Sequence, residues 1–282
     1  MYKSTYTGEF TNRIREIELY YRSWIPVNPK GLVLLIHGAG EHSGGYSHIG
    51  TECVNQQIGF MAPDLRGFGK SGGQRGHIYR FEEYLEDLDH LITQLQTRYR
   101  GLPIFLCGHS LGGLIAIRFA QQFSGKATGV ILSSPALGFR IPIPIRQCLK
   151  LVSLLIPSLK LELVKWNESL RKRKWLQSRL PAWTSELLED PFATIQYTPR
   201  WFAELLQNGT KALSESNKFH FPTLCFYDRL DPVVNSDLIE QFIQRIISED
   251  KTCTVYSEGN HILLRDGKVL QQMFQWLSAK LN

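Results

Sequence analysis

The residues best placed to do chemistry stand in one run, Gly108-His109-Ser110-Leu111-Gly112, preceded by the apolar residues 103–107 and followed by the apolar residues 114–120. That pattern predicts a strand, a sharp turn and a helix, with Ser110 at the tip of the turn. A turn this tight holds its central residue in a strained backbone conformation. The glycines two positions either side are required because a Cβ there would clash across the turn. A serine hydroxyl is a poor nucleophile at neutral pH. It needs a base to take its proton during attack, and the base needs a carboxylate to fix its tautomer.

Both partners are expected downstream. After the apolar run 223–227 comes Asp228-Arg229-Leu230-Asp231-Pro232, and after the run 252–256 comes Glu258-Gly259-Asn260-His261. His261 is the candidate base, since it alone among the histidines follows the last strand-like run. His37, His42, His48, His77, His90, His109 and His220 read as loop, helix or turn residues with structural hydrogen bonds. Asp231 is the preferred orienting acid because it lies deeper in its loop, ahead of Pro232, Val233 and Val234. Asp228 stays open as the alternative, and at least one of the two acids only caps its turn. The negative oxygen that develops on an attacked carbonyl needs preorganised N–H donors. The backbone of Leu111, at a helix N-terminus, is one. The second is expected from the loop His37-Gly38-Ala39-Gly40, after the strand that ends at Ile36.

Positioning these groups requires a scaffold of strands and helices. Residues 31–36, 104–107, 129–132, 223–227 and 252–256 read as short buried strands. Between them, residues 46–57, 81–100, 111–123, 236–247 and 265–281 carry apolar residues at helical spacing. In the second of these, Phe81, Leu85, Leu88, Leu91, Ile92 and Leu95 form the stripe. The alternation predicts an α/β fold with a mostly parallel central sheet and helices on both faces. Residues 5–24 predict an antiparallel hairpin leading into it. Between residues 136 and 219 the alternation breaks, with prolines at 142, 144, 157, 181, 191 and 199. This stretch is expected to form a helical cap inserted between core segments 1–135 and 220–282.

Several ordered motifs carry a family resemblance: HGAGEHSGGY at 37–46, PDLRGFGKSG at 63–72, GHSLGG at 108–113, the Asp231 loop and the 259–261 loop. Together they span most of the chain outside the cap, and the chain resembles the α/β-hydrolases of the monoacylglycerol lipase and lysophospholipase type. The resemblance implies the α/β-hydrolase fold and a triad of Ser110, Asp231 and His261. It assigns the oxyanion donors to Ala39 and Leu111, and implies neither a metal nor an organic cofactor. Glu41, His42 and Arg66 belong to the family's ordered loops and are expected to act on the site only through their neighbours. The cap matches nothing recognisable, so the resemblance speaks for ester hydrolysis rather than for one ester. A short-chain carboxylesterase or another serine-triad hydrolase remains the rival. From a different class, so does a ligand-binding receptor on the same fold.

Residues 141–164 of the expected cap hold fourteen apolar residues in twenty-four. Ile145, Leu149 and Val152, at helical spacing, are the candidate substrate-binding side chains. The stretch is too short and interrupted to span a bilayer. The net charge of +6 is concentrated nearby, with nine Lys or Arg in residues 141–180 against Glu162 and Glu168. Two readings stand: a cover for the catalytic cleft with a solvated basic face, or a peripheral contact with an anionic membrane, with Arg171, Lys172, Arg173 and Lys174 at the headgroups. Either favours a lipid-like acyl ester as substrate. Nucleic acid is not expected, because no binding motif accompanies the basic run. The five cysteines form no CxxC pair and read as free thiols. Residues 1–10 lack the apolar core of a signal peptide, so a cytoplasmic location is expected.

Overall fold

A computed structural model describes residues 6–14, 17–139, 147, 151–162, 169 and 184–281. Among the described residues, eight strands form one sheet in the order β1-β2-β4-β3-β5-β6-β7-β8. They are β1 (Tyr6–Ile14), β2 (Ile17–Ile25), β3 (Leu32–Ile36), β4 (Gly59–Pro63), β5 (Ile104–His109), β6 (Gly129–Ser133), β7 (Thr223–Asp228) and β8 (Lys251–Tyr256). The first two make the expected antiparallel hairpin and β2 runs antiparallel to β4. Every pairing from β4 onwards is parallel. This is the α/β-hydrolase arrangement.

Strand periodicity explains how both faces become buried. In β3, Leu32, Leu34 and Ile36 enter one core, whereas Val33 and Leu35 enter the other. The first core is closed by α2 (Glu82–Arg98), α3 (Leu111–Gln122) and α6 (Ser236–Arg245). The second is closed by α1 (Ser47–Asn55) and α7 (Gly267–Leu281), through Ile49, Cys53, Val269, Met273 and Leu277. A strand buried on both faces reads as a continuous apolar run, which is why β3, β5, β6 and β7 are legible in the sequence. The strand β4 is not among the expected ones. Its five residues, Gly-Phe-Met-Ala-Pro, include no β-branched residue and are bracketed by two residues that strands usually exclude.

Between β6 and β7, α4 (Thr184–Glu189) is short and α5 (Pro199–Ser214) is long. Thr198 caps α5 by accepting a hydrogen bond from Trp201 N at 3.3 Å, with Pro199 at the first helical position. The buried face of α5, Trp201, Leu205 and Ala212, enters the same core as α2 and α3. The chain reaches α5 across the loops that follow β3 and β4: Thr194 N donates to Gly40 O at 3.1 Å and Thr198 N to Gly76 O at 3.0 Å. Among the described residues no helix is long and apolar enough to cross a membrane.

Candidate active site

All the groups singled out for chemistry emerge at the carboxyl ends of parallel strands. Ser110 follows β5, Asp228 ends β7 and Asp231 follows it, His261 follows β8, and residues 37–40 follow β3. Parallel strands leave those ends open for loops, so ligands bind there.

Ser110 sits between β5 and α3 with φ 51° and ψ −113°, a conformation that costs a residue with a Cβ on the order of 1–3 kcal/mol. Its backbone is gripped from both sides: Ser110 N donates to Ser133 O at 2.9 Å and its carbonyl accepts from Ala136 N at 2.9 Å. The tightness of the turn accounts for its glycines. A Cβ on Gly108 would overlap the Gly112 carbonyl, and one on Gly112 would overlap the carbonyls of Ile36 and His37.

The serine hydroxyl lies 3.0 Å from His261 Nε2, and His261 Nδ1 lies 2.7 Å from Asp231 Oδ2. With Nδ1–H donated to the carboxylate, Nε2 is the acceptor for the Ser110 hydroxyl proton. Asp231 Oδ1 accepts from Val233 N at 2.7 Å and Val234 N at 3.0 Å, so both oxygens are aimed. Burial alone would raise the Asp231 carboxyl. The hydrogen bond and charge of His261, with the two backbone donors, outweigh it and hold the group below the usual range. Asp228 has a different occupation. Its Oδ1 accepts from Leu230 N at 2.7 Å, and its Oδ2 accepts from Glu258 N at 2.9 Å and Asn260 N at 3.1 Å. It clamps the loop of the histidine to that of the acid through these backbone donors.

Ala39 and Leu111 both line the cavity beside Ser110. The loop carrying Ala39 is held by Glu41, whose Oε2 accepts from Gly38 N at 2.8 Å and from the Tyr46 hydroxyl at 2.6 Å. Burial pushes the Glu41 carboxyl up, but the nearby His109 and these hydrogen bonds bring it below its ordinary value. His37 is structural. Its Nδ1–H donates to Gly38 O at 2.7 Å and its Nε2 accepts from Leu65 N at 2.9 Å, and burial lowers its affinity for a proton. His109 lies under the site, its ring centroid 5.0 Å from that of His261, and burial pushes its pKa down to about 4. Arg66 stands further back, with Nε and Nη2 at 2.6 and 2.5 Å from the Asp87 carboxylate and Nη1 at 2.8 Å from Glu83. That fork fixes the loop after β4 to α2.

Ser110 opens onto a cavity of about 500 Å³. Ala136, Phe139, Leu187, Trp201, Phe202 and Leu205 make an apolar wall, while His42, His48, Asp190 and Arg265 line polar parts. A relay of serine, imidazole and carboxylate facing an apolar cavity can attack an acyl carbonyl and house its chain.

The family model described as serine aminopeptidase S33 matches residues 27–268. The chain belongs to this family. The S33-family chain is 29% identical to the phospholipase YtpA of Bacillus subtilis, over 81% of this chain and 86% of that protein. It is 27% identical to human monoglyceride lipase, over 93% of this chain and 87% of the relative. A crystal structure of Paleococcus ferrophilus monoacylglycerol lipase superposes with a TM-score of 0.79 at 27% identity, covering 93% of this chain and 99% of that one. The protein is a serine hydrolase of the monoglyceride lipase and lysophospholipase type.

The structure thus brings Ser110, His261, Asp231, Ala39 and Leu111 together. Of the expected substrate-binding side chains, Ile145 and Leu149 lie outside the described residues, as does the basic run Arg171 to Lys174. Val152 is half-buried and is not among the cavity's lining residues. The aromatic wall was not anticipated. One signal for it existed: Trp201, Phe202 and Leu205 recur at helical spacing directly after the Thr198-Pro199 start signal.

Proposed function

We propose that this serine hydrolase cleaves long-chain acyl esters of glycerol or glycerophosphate through an acyl-enzyme on Ser110. The observation that carries the reading is the Asp231–His261–Ser110 relay opening onto a largely apolar cavity of about 500 Å³. Ser110 Oγ attacks the ester carbonyl as His261 Nε2 takes its proton, and Asp231 steadies the imidazolium. The N–H groups of Ala39 and Leu111 receive the oxyanion. Collapse of the tetrahedral adduct expels the alcohol, which takes the proton from His261. Water, deprotonated by the same imidazole, then releases the fatty acid. The kinship with a bacterial phospholipase and with monoglyceride lipases supports monoacylglycerols and lysophospholipids as the substrate class.

Residues 136–219 form the inserted cap in this reading, its α5 end anchored in the core and its Leu187 reaching the cavity. The cap also offers a surface for lipid. Leu151, Leu154, Leu155, Ile156 and Leu159 are all exposed within nine residues. An apolar ridge of this kind suits shallow insertion into a membrane interface, from which a single-chain lipid enters the cavity.

The test is steady-state fatty acid release from monoacylglycerols, lysophospholipids and short nitrophenyl esters, beside Ser110→Ala. Turnover of the long-chain esters that is lost in the variant supports the proposal. Turnover confined to short esters refutes the lipid assignment, and retention of activity by Ser110→Ala refutes the nucleophile.

A further inference from the structure

Away from the catalytic cleft, two cysteines face each other across the sheet. Cys225 on β7 and Cys253 on β8 are direct partners in the parallel register. Residues in register on neighbouring parallel strands project from the same face, and strand spacing sets their Cα atoms about 4.8 Å apart. That separation lies inside the range of about 4.4–6.8 Å that a disulfide spans. Both thiols are free; Cys225 is fully buried beneath α6 and Cys253 is exposed on the edge strand. One thiol is therefore open to a dissolved oxidant and the other is shielded beside it.

We propose that Cys253 and Cys225 form a peroxide-responsive thiol pair, with Cys253 as the attacking thiol and Cys225 as the resolving one. Cys253 thiolate attacks one oxygen of hydrogen peroxide: an S–O bond forms, the O–O bond breaks, and hydroxide leaves to take up the thiol's proton. Cys225 sulfur then attacks the sulfenic sulfur. The S–S bond forms, the S–O bond breaks, and the hydroxyl departs with the Cys225 proton as water. Two thiols are oxidised and one peroxide is reduced to two waters.

The thiols' acidities support that order of attack. The hydrogen bond from Cys225 lowers Cys253 in spite of burial and of the Glu240 carboxylate, while the same bond and burial raise Cys225. A thiol that ionises readily beside one that does not is the usual constitution of a sensing and resolving pair. Burial raises Cys53 and Cys107, the latter to about 12, so these two thiols are poor competitors. The bond would join the two strands whose following loops carry Asp231 and His261.

The experiment uses the full chain in a Cys148→Ser background, treated with equimolar hydrogen peroxide and then analysed by thiol titration and peptide mass mapping. The expected result is two fewer titratable thiols, a Cys225–Cys253 linked peptide lighter by two hydrogens, and full reversal by dithiothreitol. Replacing Cys225 by Ser, whose hydroxyl can still donate to Cys253, should leave a Cys253 sulfenic acid that dimedone captures, whereas Cys253→Ser should keep its remaining thiols. Unmodified Cys253, oxidation beyond sulfenic acid with Cys225 still free, or a linkage between two chains would each overturn the proposal.

Discussion

Replacing Asp231 by Asn tests the relay at its most informative atom. The substitution is nearly isosteric, and the surroundings dictate which way the amide turns. Val233 N and Val234 N point at Oδ1, so the asparagine oxygen must take that place and its NH₂ must face His261. The opposite flip sets two backbone donors against an amide donor, at about 1–3 kcal/mol for each group left unsatisfied. An NH₂ facing Nδ1 forces the imidazole to accept there and to carry its proton on Nε2. The Ser110 hydroxyl, 3.0 Å away, then has no acceptor. A wrong-tautomer triad loses about 10⁴ in kcat, equivalent to about 5 kcal/mol of barrier, with KM for a soluble ester close to unchanged. Asp228→Asn is the contrast. It sets an amide against at least one of Leu230 N, Glu258 N and Asn260 N, and so loosens the loop without touching the imidazole. A fall of about tenfold is expected, together with a loss of stability of about 1–3 kcal/mol. Steady-state nitrophenyl ester hydrolysis and urea unfolding of both variants decide the matter. A larger kcat loss in Asp228→Asn than in Asp231→Asn would refute the assignment of the acid.

Stability should fall on acidification because His109 is neutral in the folded chain. Its pKa, pushed down to about 4 by burial, lies below the unfolded value of about 6.5. The unfolded chain binds the extra proton, so this contribution is full above pH 6.5 and disappears as pH falls towards 4, on the order of 3 kcal/mol. His37 acts in the same direction. Urea midpoints at pH 7 and 4.5 should differ less in His109→Gln than in the parent; an equal difference would exclude the role. Arg66→Ala leaves the buried Asp87 carboxylate without its two-toothed partner and should cost about 3–5 kcal/mol in urea unfolding, with Arg66→Lys recovering part of it. Leu154→Glu combined with Leu155→Glu should weaken sedimentation with anionic vesicles while leaving soluble ester hydrolysis unchanged, and undiminished vesicle binding would refute the lipid-facing ridge.

The parts of the molecule legible in the sequence are those whose cause is local. The Ser110 turn needs particular residues within five positions, because backbone carbonyls crowd Gly108 and Gly112 whatever the rest of the chain does. Strands β3, β5, β6 and β7 are buried on both faces, so each is spelled by its own side chains. Glu41 shows the first limit of such reading. Its type and place in the loop are visible, but the partners that turn it into a brace, Gly38 N and the Tyr46 hydroxyl, follow from a fold of the loop that composition does not announce. For the two acids, loop depth favours Asp231, yet only the turn after β7 decides which carboxylate meets the imidazole and which takes the three backbone donors.

The wall of the cavity lies beyond that limit for a physical reason. Leu187, Tyr197 and Trp201 meet the Ser110 cleft where the chain between β6 and β7 returns over the loops after β3 and β4, while Phe139 reaches it from just beyond β6, bridged to Val234. A side chain placed by such long-range contacts carries no nearby pattern of glycine, proline or polar caps. Reaction chemistry requires a few atoms within hydrogen-bond range, 2.7 and 3.0 Å here, and therefore constrains residue type tightly. Housing an acyl chain requires only apolar volume, which Trp, Phe, Leu or Ile can each supply from any element that comes near. The motifs around Ser110, Asp231 and His261 are accordingly spelled in the sequence, whereas the wall of the cavity is set by packing of the chain between β6 and β7.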